Sequence, residues 1–336
     1  VGRQNELDLL GSRFESARRG QGQVVGIAGD AGIGKSRLLF EFHRAVAREP
    51  VSYLEGHCLS YGRAIPYLPV LELVKTSCGV SEADSREGAA AKVRGRLREL
   101  DLDPAAEAPV LLWLLGLAGE GVPEVDPEPL KPRIFGLLTR MSLRSSQAQP
   151  LIVAVEDLHW SDPTSEEYFA WLVERIAGAR VLLVFTYRFG YPAPWLEKSY
   201  ATQIALPALA PEDSADVLRS ILPTERIPAA VLELLIAKAD GNPFFLEELS
   251  RTIRDEARIA HTLDVPDTVE EVLRARIDRL QPHERSVLQA AAVTGRHVAF
   301  PLLVALAGCP EDDLRRALRR LQAAEFLNEI GAGADP

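Results

Sequence analysis

The chain has 336 residues, enough for two or three domains, and 47% of them are hydrophobic, enough for globular cores. Its formal net charge of −10 argues against a surface built to coat nucleic acid, while local basic patches stay open. Cys58, Cys78 and Cys309 lie far apart without metal spacing and suit a reducing cytoplasm, and no apolar run approaches the roughly 20 residues of a membrane helix.

In chain order, residues 23–28 (QVVGIA) read as a buried strand, and residues 29–36 (GDAGIGKS) complete the Walker A pattern GxxxxGKS. Gly29, Gly32 and Gly34 let the backbone curl, so that N–H groups along Gly29, Asp30, Ala31, Gly32, Ile33 and Gly34 cradle phosphate oxygens. Lys35 is expected to reach the β- and γ-phosphates, and the Ser36 hydroxyl to ligate Mg²⁺. A helix leaves the loop at Arg37 and runs to residue 46. Residues 51–57 form a second strand candidate. The link to the third, residues 59–150, far exceeds a bare crossover of about a dozen residues. It holds several helix candidates, including the apolar run 110–118, with turn breaks at 78–79, 101–104 and 119–132. Sequence leaves it open whether this link is packing or a partner surface. Residues 151–155 and 181–185 are continuous apolar runs, as strands covered on both faces require, and 204–206 is a short last strand. Strands alternating with helices predict an α/β fold with a parallel sheet and helices on both faces.

After residue 207 the strand pattern stops. Helices are predicted at 215–222, 229–239 and 244–257, with a break at Gly241-Asn242-Pro243. Thr268 caps a helix whose apolar face carries Val269, Val272, Leu273, Ile277 and Leu280. Helices at 282–293, 300–307 and 310–324, then a strand at 326–330, suggest a winged helix. The expected domains are a nucleotide-binding α/β domain at 1–207 with an insertion at 59–150, a helical lid at 208–258, and a winged helix at 259–336. Met141 is the only methionine, so a chain opening at Val1 reads as part of a longer protein, and its arginine, alanine and glycine bias suggests a bacterial source.

The third strand ends in Glu156-Asp157. An acidic pair at the C-terminal end of a buried parallel strand faces the ligand crevice of such sheets. One carboxylate suits Mg²⁺ and the other the attacking water. Register assigns Glu156 to the metal and Asp157 to the base, but a glutamate in the metal slot departs from the usual pattern and leaves the roles interchangeable. Thr186 and Arg188, after the fourth strand, are γ-phosphate sensor candidates. His159 and Trp160 read as packing residues. His43, His57, His261, His283 and His297 show no ligand spacing, so no metal beyond Mg²⁺ is expected.

Residues 1–6 (VGRQNE), the phosphate loop, residues 155–162 (VEDLHWSD), Thr186-Tyr187-Arg188 and residues 241–245 (GNPFF) occur in one order. In that combination the chain resembles the STAND-class signalling ATPases, within the AAA+-related P-loop ATPases, as found in large LuxR-type bacterial regulators and fused to adenylate cyclases or protein kinases. The resemblance covers nearly the whole chain. It implies that Val1, Gly2 and Arg3 lie by the adenine and phosphates, that Pro243 packs on the adenine, and that the winged helix closes over the nucleotide. It further implies a slow regulatory ATPase switch that couples ADP or ATP to domain opening. Fused effector and sensor domains, or a protein partner, and oligomerisation on activation go with it. Two alternatives stand beside it. One is an origin-recognition-like ATPase that puts Arg315, Arg316, Arg319 and Arg320 of a winged helix on DNA. The other is an inactive scaffold that holds ADP. Gly241-Asn242-Pro243 also fits a plain inter-helix turn.

Overall fold

A computed structural model describes residues 2–81, 83–117, 130–222, 228–255, 268–295 and 298–329, with the side chains of 252–255 excepted. Helix α1 (Gln4–Arg18) leads to β1 (Gln23–Ala28), then α2 (Lys35–Val46) and β2 (Ser52–His57). Four helices follow: α3 (Leu68–Cys78), α4 (Arg86–Glu99), α5 (Pro104–Leu114) and α6 (Leu130–Ala148). Then come β3 (Leu151–Glu156), α7 (Pro163–Val173), β4 (Val181–Tyr187) and β5 (Ala201–Ala205). The five strands are all parallel in the order β2-β3-β4-β1-β5.

Side-chain alternation along the strands builds two cores. Val25, Ile27, Ile152, Ala154, Leu182 and Val184 face Leu10 and Phe14 of α1 and Leu38, Leu39 and Phe42 of α2. Val24, Val153, Val155, Leu183 and Phe185 face the other way. There they meet Val70 and Val74 of α3, Val93 and Leu97 of α4, Leu111 of α5, Leu137 of α6 and Phe169 of α7. Each such buried aliphatic or aromatic side chain contributes about 1.5–3 kcal/mol. The long link is therefore largely packing: its helices cover one sheet face. Gly56 lets α3 come close to β2, since a Cβ there would lie 2.8 Å from the Pro69 carbonyl oxygen.

The remaining helices are α8 (Pro211–Ile221), α9 (Ala229–Ala239), α10 (Pro243–Asp255), α11 (Val269–Asp278), α12 (Pro282–Thr294), α13 (Phe300–Leu306) and α14 (Glu311–Ala323). The chain divides into two compact units, Val1–Asp216 with Asp240–Phe244, and Val217–Ala239 with Phe245–Pro336. In the second unit, Leu218, Leu235, Leu246, Leu249 and Val272 form one core, and Val287, Leu303, Leu314 and Leu321 another. Buried Glu248 of α10 pairs with Arg251 at 2.8 Å and with Arg276 of α11, whose guanidinium also donates to the Ala324 carbonyl at 2.7 Å.

Several expectations are corrected. Helix α1 was not foreseen, α2 begins at Lys35, and β5 lies earlier than 204–206. The helix predicted at 244–257 starts at Pro243, and its residues 256–257 lie outside the described residues, as does most of the 119–132 turn. The strand predicted at 326–330 is absent over 326–329, and residue 330 is not described. These residues instead close α14. Glu325 adopts φ 58, its N–H bonds to Gln322, and the Phe326 N–H reaches back to the Leu321 carbonyl at 2.9 Å. That is the paired bonding of a Schellman helix end, and Phe326 turns into the core beneath it. Among the described residues no strand follows Ala205.

Candidate active site

The phosphate loop bridges β1 and α2, one strand in from the β5 edge of the sheet. Gly32 (φ 76) and Gly34 (φ 102) adopt left-handed conformations that side chains disfavour, and Gly34 caps α2. Lys35 is buried, and its Nζ donates to the carbonyls of Gly29 and Asp30, both at 2.9 Å. Burial pushes its pKa down first. Asp157 acts the other way, Arg188 adds to the fall, and Asp30 and Glu156 oppose it. The Ser36 hydroxyl donates to Glu156 Oε2, so the two oxygen groups expected to serve one cation already meet.

Glu156 ends β3 and is 5% exposed. Its strand register places it opposite His57 on β2. His57 Nε2 lies 3.6 Å from Glu156 Oε1 and 3.3 Å from Glu55 Oε1. Its Nδ1 and its backbone N–H both meet Glu72 Oε2, at 3.0 and 2.8 Å. Glu55, His57 and Glu156 offer ligand atoms within 4.8 Å of one another. Linear spacing of histidines missed this cluster because it forms across strands. The available signal was Glu55-Gly-His57, two residues apart and hence on one strand face.

Asp157 has left the strand with φ 55, and its N–H donates to the Thr186 hydroxyl at 2.9 Å. Thr186 is fully buried and so braces Asp157 from β4. A short 3₁₀ turn, Leu158–Trp160, follows. His159 Nδ1 lies 3.9 Å from Asp157 Oδ1. Burial pushes the His159 pKa down. Asp157 opposes this, while Arg188, Lys35 and Arg63 reinforce it. The Arg63 and Arg188 guanidiniums stand 5.8 and 5.6 Å from the Trp160 ring centre, and Arg63 also donates to the His159 carbonyl at 2.9 Å. Arg63 is a second residue that sequence did not single out.

Gly241-Asn242-Pro243 lies on the phosphate loop. Asn242 Nδ2 donates to the Ala31 carbonyl at 3.0 Å, and the Phe244 N–H to the Gly32 carbonyl at 3.3 Å. Pro243 sits by Gly34, 3.8 Å from where a Cβ would stand. Gly241, at φ 69, accepts from the Leu209 N–H at 2.8 Å. The segment is thus more than an inter-helix turn. At the other end, Arg3 donates to the Pro207 carbonyl at 2.5 Å, and Gly2 lies against the Asp213 carboxylate. Val1 is outside the described residues. Arg37 is exposed and paired with Glu41 at 2.6 Å.

These are the parts of a P-loop ATPase: a glycine loop with its lysine and hydroxyl after β1, and an acidic end on β3, one strand away across β4, in a 2-3-4-1-5 sheet. Residues 1–184 match the AAA ATPase domain family, and the chain belongs to it. An uncharacterized protein of Rhizobium meliloti (strain 1021) is 34% identical over 322 residues, 91% of this chain and 30% of that protein. A STAND protein with a tetratricopeptide repeat sensor from Pyrococcus horikoshii shares the fold, with a TM-score of 0.51 at 15% identity over 95% of this chain and 38% of its own. The chain therefore spans about a third of the length of these two relatives. Drosophila ORC bound to DNA overlays with a TM-score of 0.46 at 14% identity, over 98% of this chain and 81% of that one. Among the described residues no helix is long and apolar enough to cross a membrane.

Proposed function

We propose that this chain is the regulatory ATPase switch of a larger, cytoplasmic signalling protein. One observation carries the reading: Asn242 and Phe244 hold the backbone of the phosphate loop at Ala31 and Gly32, and the chain runs on from Phe244 through α10. Whatever occupies the loop thus acts on the first turn of that helix. Lys35 serves the β- and γ-phosphates, and Arg188 the γ-phosphate. Ser36 and Glu156, hard oxygen donors already in contact, suit Mg²⁺, with Asp157 beside them. The ion would neutralise phosphate charge when bound. Asp157, braced by Thr186, orients or deprotonates the attacking water. Gly2, Arg3 and Pro243 border the nucleotide. Turnover is slow, as a switch that dwells in each nucleotide state requires. The working division is the α/β domain to residue 207, a lid to 258 and a helical remainder.

To flip a switch from 1:99 to 99:1 a nucleotide must favour one state by about 5.5 kcal/mol. Hydrogen exchange over residues 240–251, compared between ADP and a non-hydrolysable ATP analogue, tests the coupling. Protection that differs between the two nucleotides is expected, and identical protection sinks it. The DNA reading is the weaker one. Arg315 pairs with Glu311 at 2.6 Å, Arg320 with Glu284 at 2.9 Å, and Arg316 with Asp313. The stripe is largely neutralised within its own unit.

A further inference from the structure

We infer that His159 hydrogen-bonds the γ-phosphoryl group of the bound nucleotide through a ring N–H, and so distinguishes triphosphate from diphosphate. The inference rests on the reading of this site as an ATP site. The side chain is only 12% exposed, and neither ring nitrogen has a hydrogen-bond partner among the described residues. Asp157 Oδ1, at 3.9 Å, is beyond hydrogen-bond reach. Buried polar nitrogens are costly unless bonded, so two on one ring call for a functional account. An imidazole in either charge state offers at least one N–H donor.

The surroundings specify the acceptor. Arg63 donates to the His159 carbonyl at 2.9 Å, Arg188 stands 5.6 Å from the adjoining Trp160 ring centre, and the Asp157 carboxylate assigned to the attacking water lies 3.9 Å from the ring; the charge of Lys35 acts on the ring as well. An anion with several acceptor oxygens fits there, and the terminal phosphoryl group is the one that ATP has and ADP lacks. The packing alternative is a ring tilted against Trp160, at 5.1 Å between centres. A phenyl ring would serve that role equally well.

The test is a pair of dissociation constants, for Mg²⁺·ADP and Mg²⁺·AMP-PNP, in the wild-type chain and in H159F, H159L and H159Q. The apolar variants are expected to keep ADP affinity and to lose about tenfold in affinity for AMP-PNP, with most of the loss restored in H159Q. The His159 ring ¹⁵N resonances should shift with AMP-PNP and not with ADP. An unchanged AMP-PNP to ADP ratio in H159F overturns the inference while leaving the ATP site intact. Loss of ADP binding in both apolar variants overturns it too, by making the ring structural. A wild-type chain that binds neither nucleotide overturns instead the reading of the site on which it rests.

Discussion

Two regions of this molecule are dense in basic side chains, and they satisfy them differently. On α14, Arg315, Arg316 and Arg320 each meet a carboxylate, and Arg315 also lies 4.3 Å from the Phe300 ring centre. At the C-terminal edge of the sheet, Lys35 rests on two carbonyls, Arg63 on a carbonyl and Trp160, and Arg188 on Trp160. Among the described residues none of these three forms a salt bridge. Carbonyls and ring faces orient a cation without pairing it, so these three side chains stay available to an anion beside the carboxylates of Asp30, Glu156 and Asp157, while the three on α14 are already paired. Counting basic residues in the sequence ranks the arginine-rich helix first; their partners reverse that ranking.

The largest test of this contrast is Lys35→Ala. Nucleotide affinity should fall at least about 100-fold, on the order of 3 kcal/mol, by calorimetry. Unchanged affinity would remove the sheet edge as the anion site. Asp157→Ala should leave ADP affinity within about twofold while single-turnover hydrolysis drops about 100-fold. Full turnover would transfer the base role to Glu156. Gly32→Ala introduces a Cβ at φ 76, placed 2.8 Å from Asn242 Oδ1. Affinity for both nucleotides should fall about tenfold, and wild-type binding would show that the loop tolerates another shape. Least of all, Arg315→Ala and Arg316→Ala should each change stability by no more than about 1 kcal/mol, since exposed pairs are worth little. Salt-dependent binding of duplex DNA that these two substitutions abolish would overturn the picture of a neutralised helix.

Much of the fold was legible where one physical signal acted alone. Strands β1, β3 and β4 are buried on both faces and read as unbroken apolar runs, and the phosphate loop is a local motif. The capping box of Thr268 and Glu271 marks the start of α11 as its spacing predicts. Helix α1 was hidden because its fully buried stripe is only Leu10, Phe14 and Ala17, with half-buried Leu7 and Leu9 crowded at one end and the rest polar. The strand expected at 326–330 failed because a helix end claims the same residues, with a glutamate where glycine is usual. In the site, Lys35, Ser36 and Glu156 could be named from motifs. His57 could not, since its neighbours come from strand register and from Glu72 on α3. The hold of Asn242 on Ala31 joins residues 211 apart in sequence, which local patterns do not encode.

The strand order also sets a timetable. Strand β1 carries the phosphate loop, yet it pairs only with β4 and β5. Roughly 150 residues must follow β1 before β4 exists, which at ribosomal speed takes roughly 8 to 30 s. Strands β2 and β3 pair with each other first, and β1 waits as an apolar segment without a ladder. The nascent chain therefore leaves β1 without a partner strand for longest, and the nucleotide loop is among the last parts of the sheet domain to take shape.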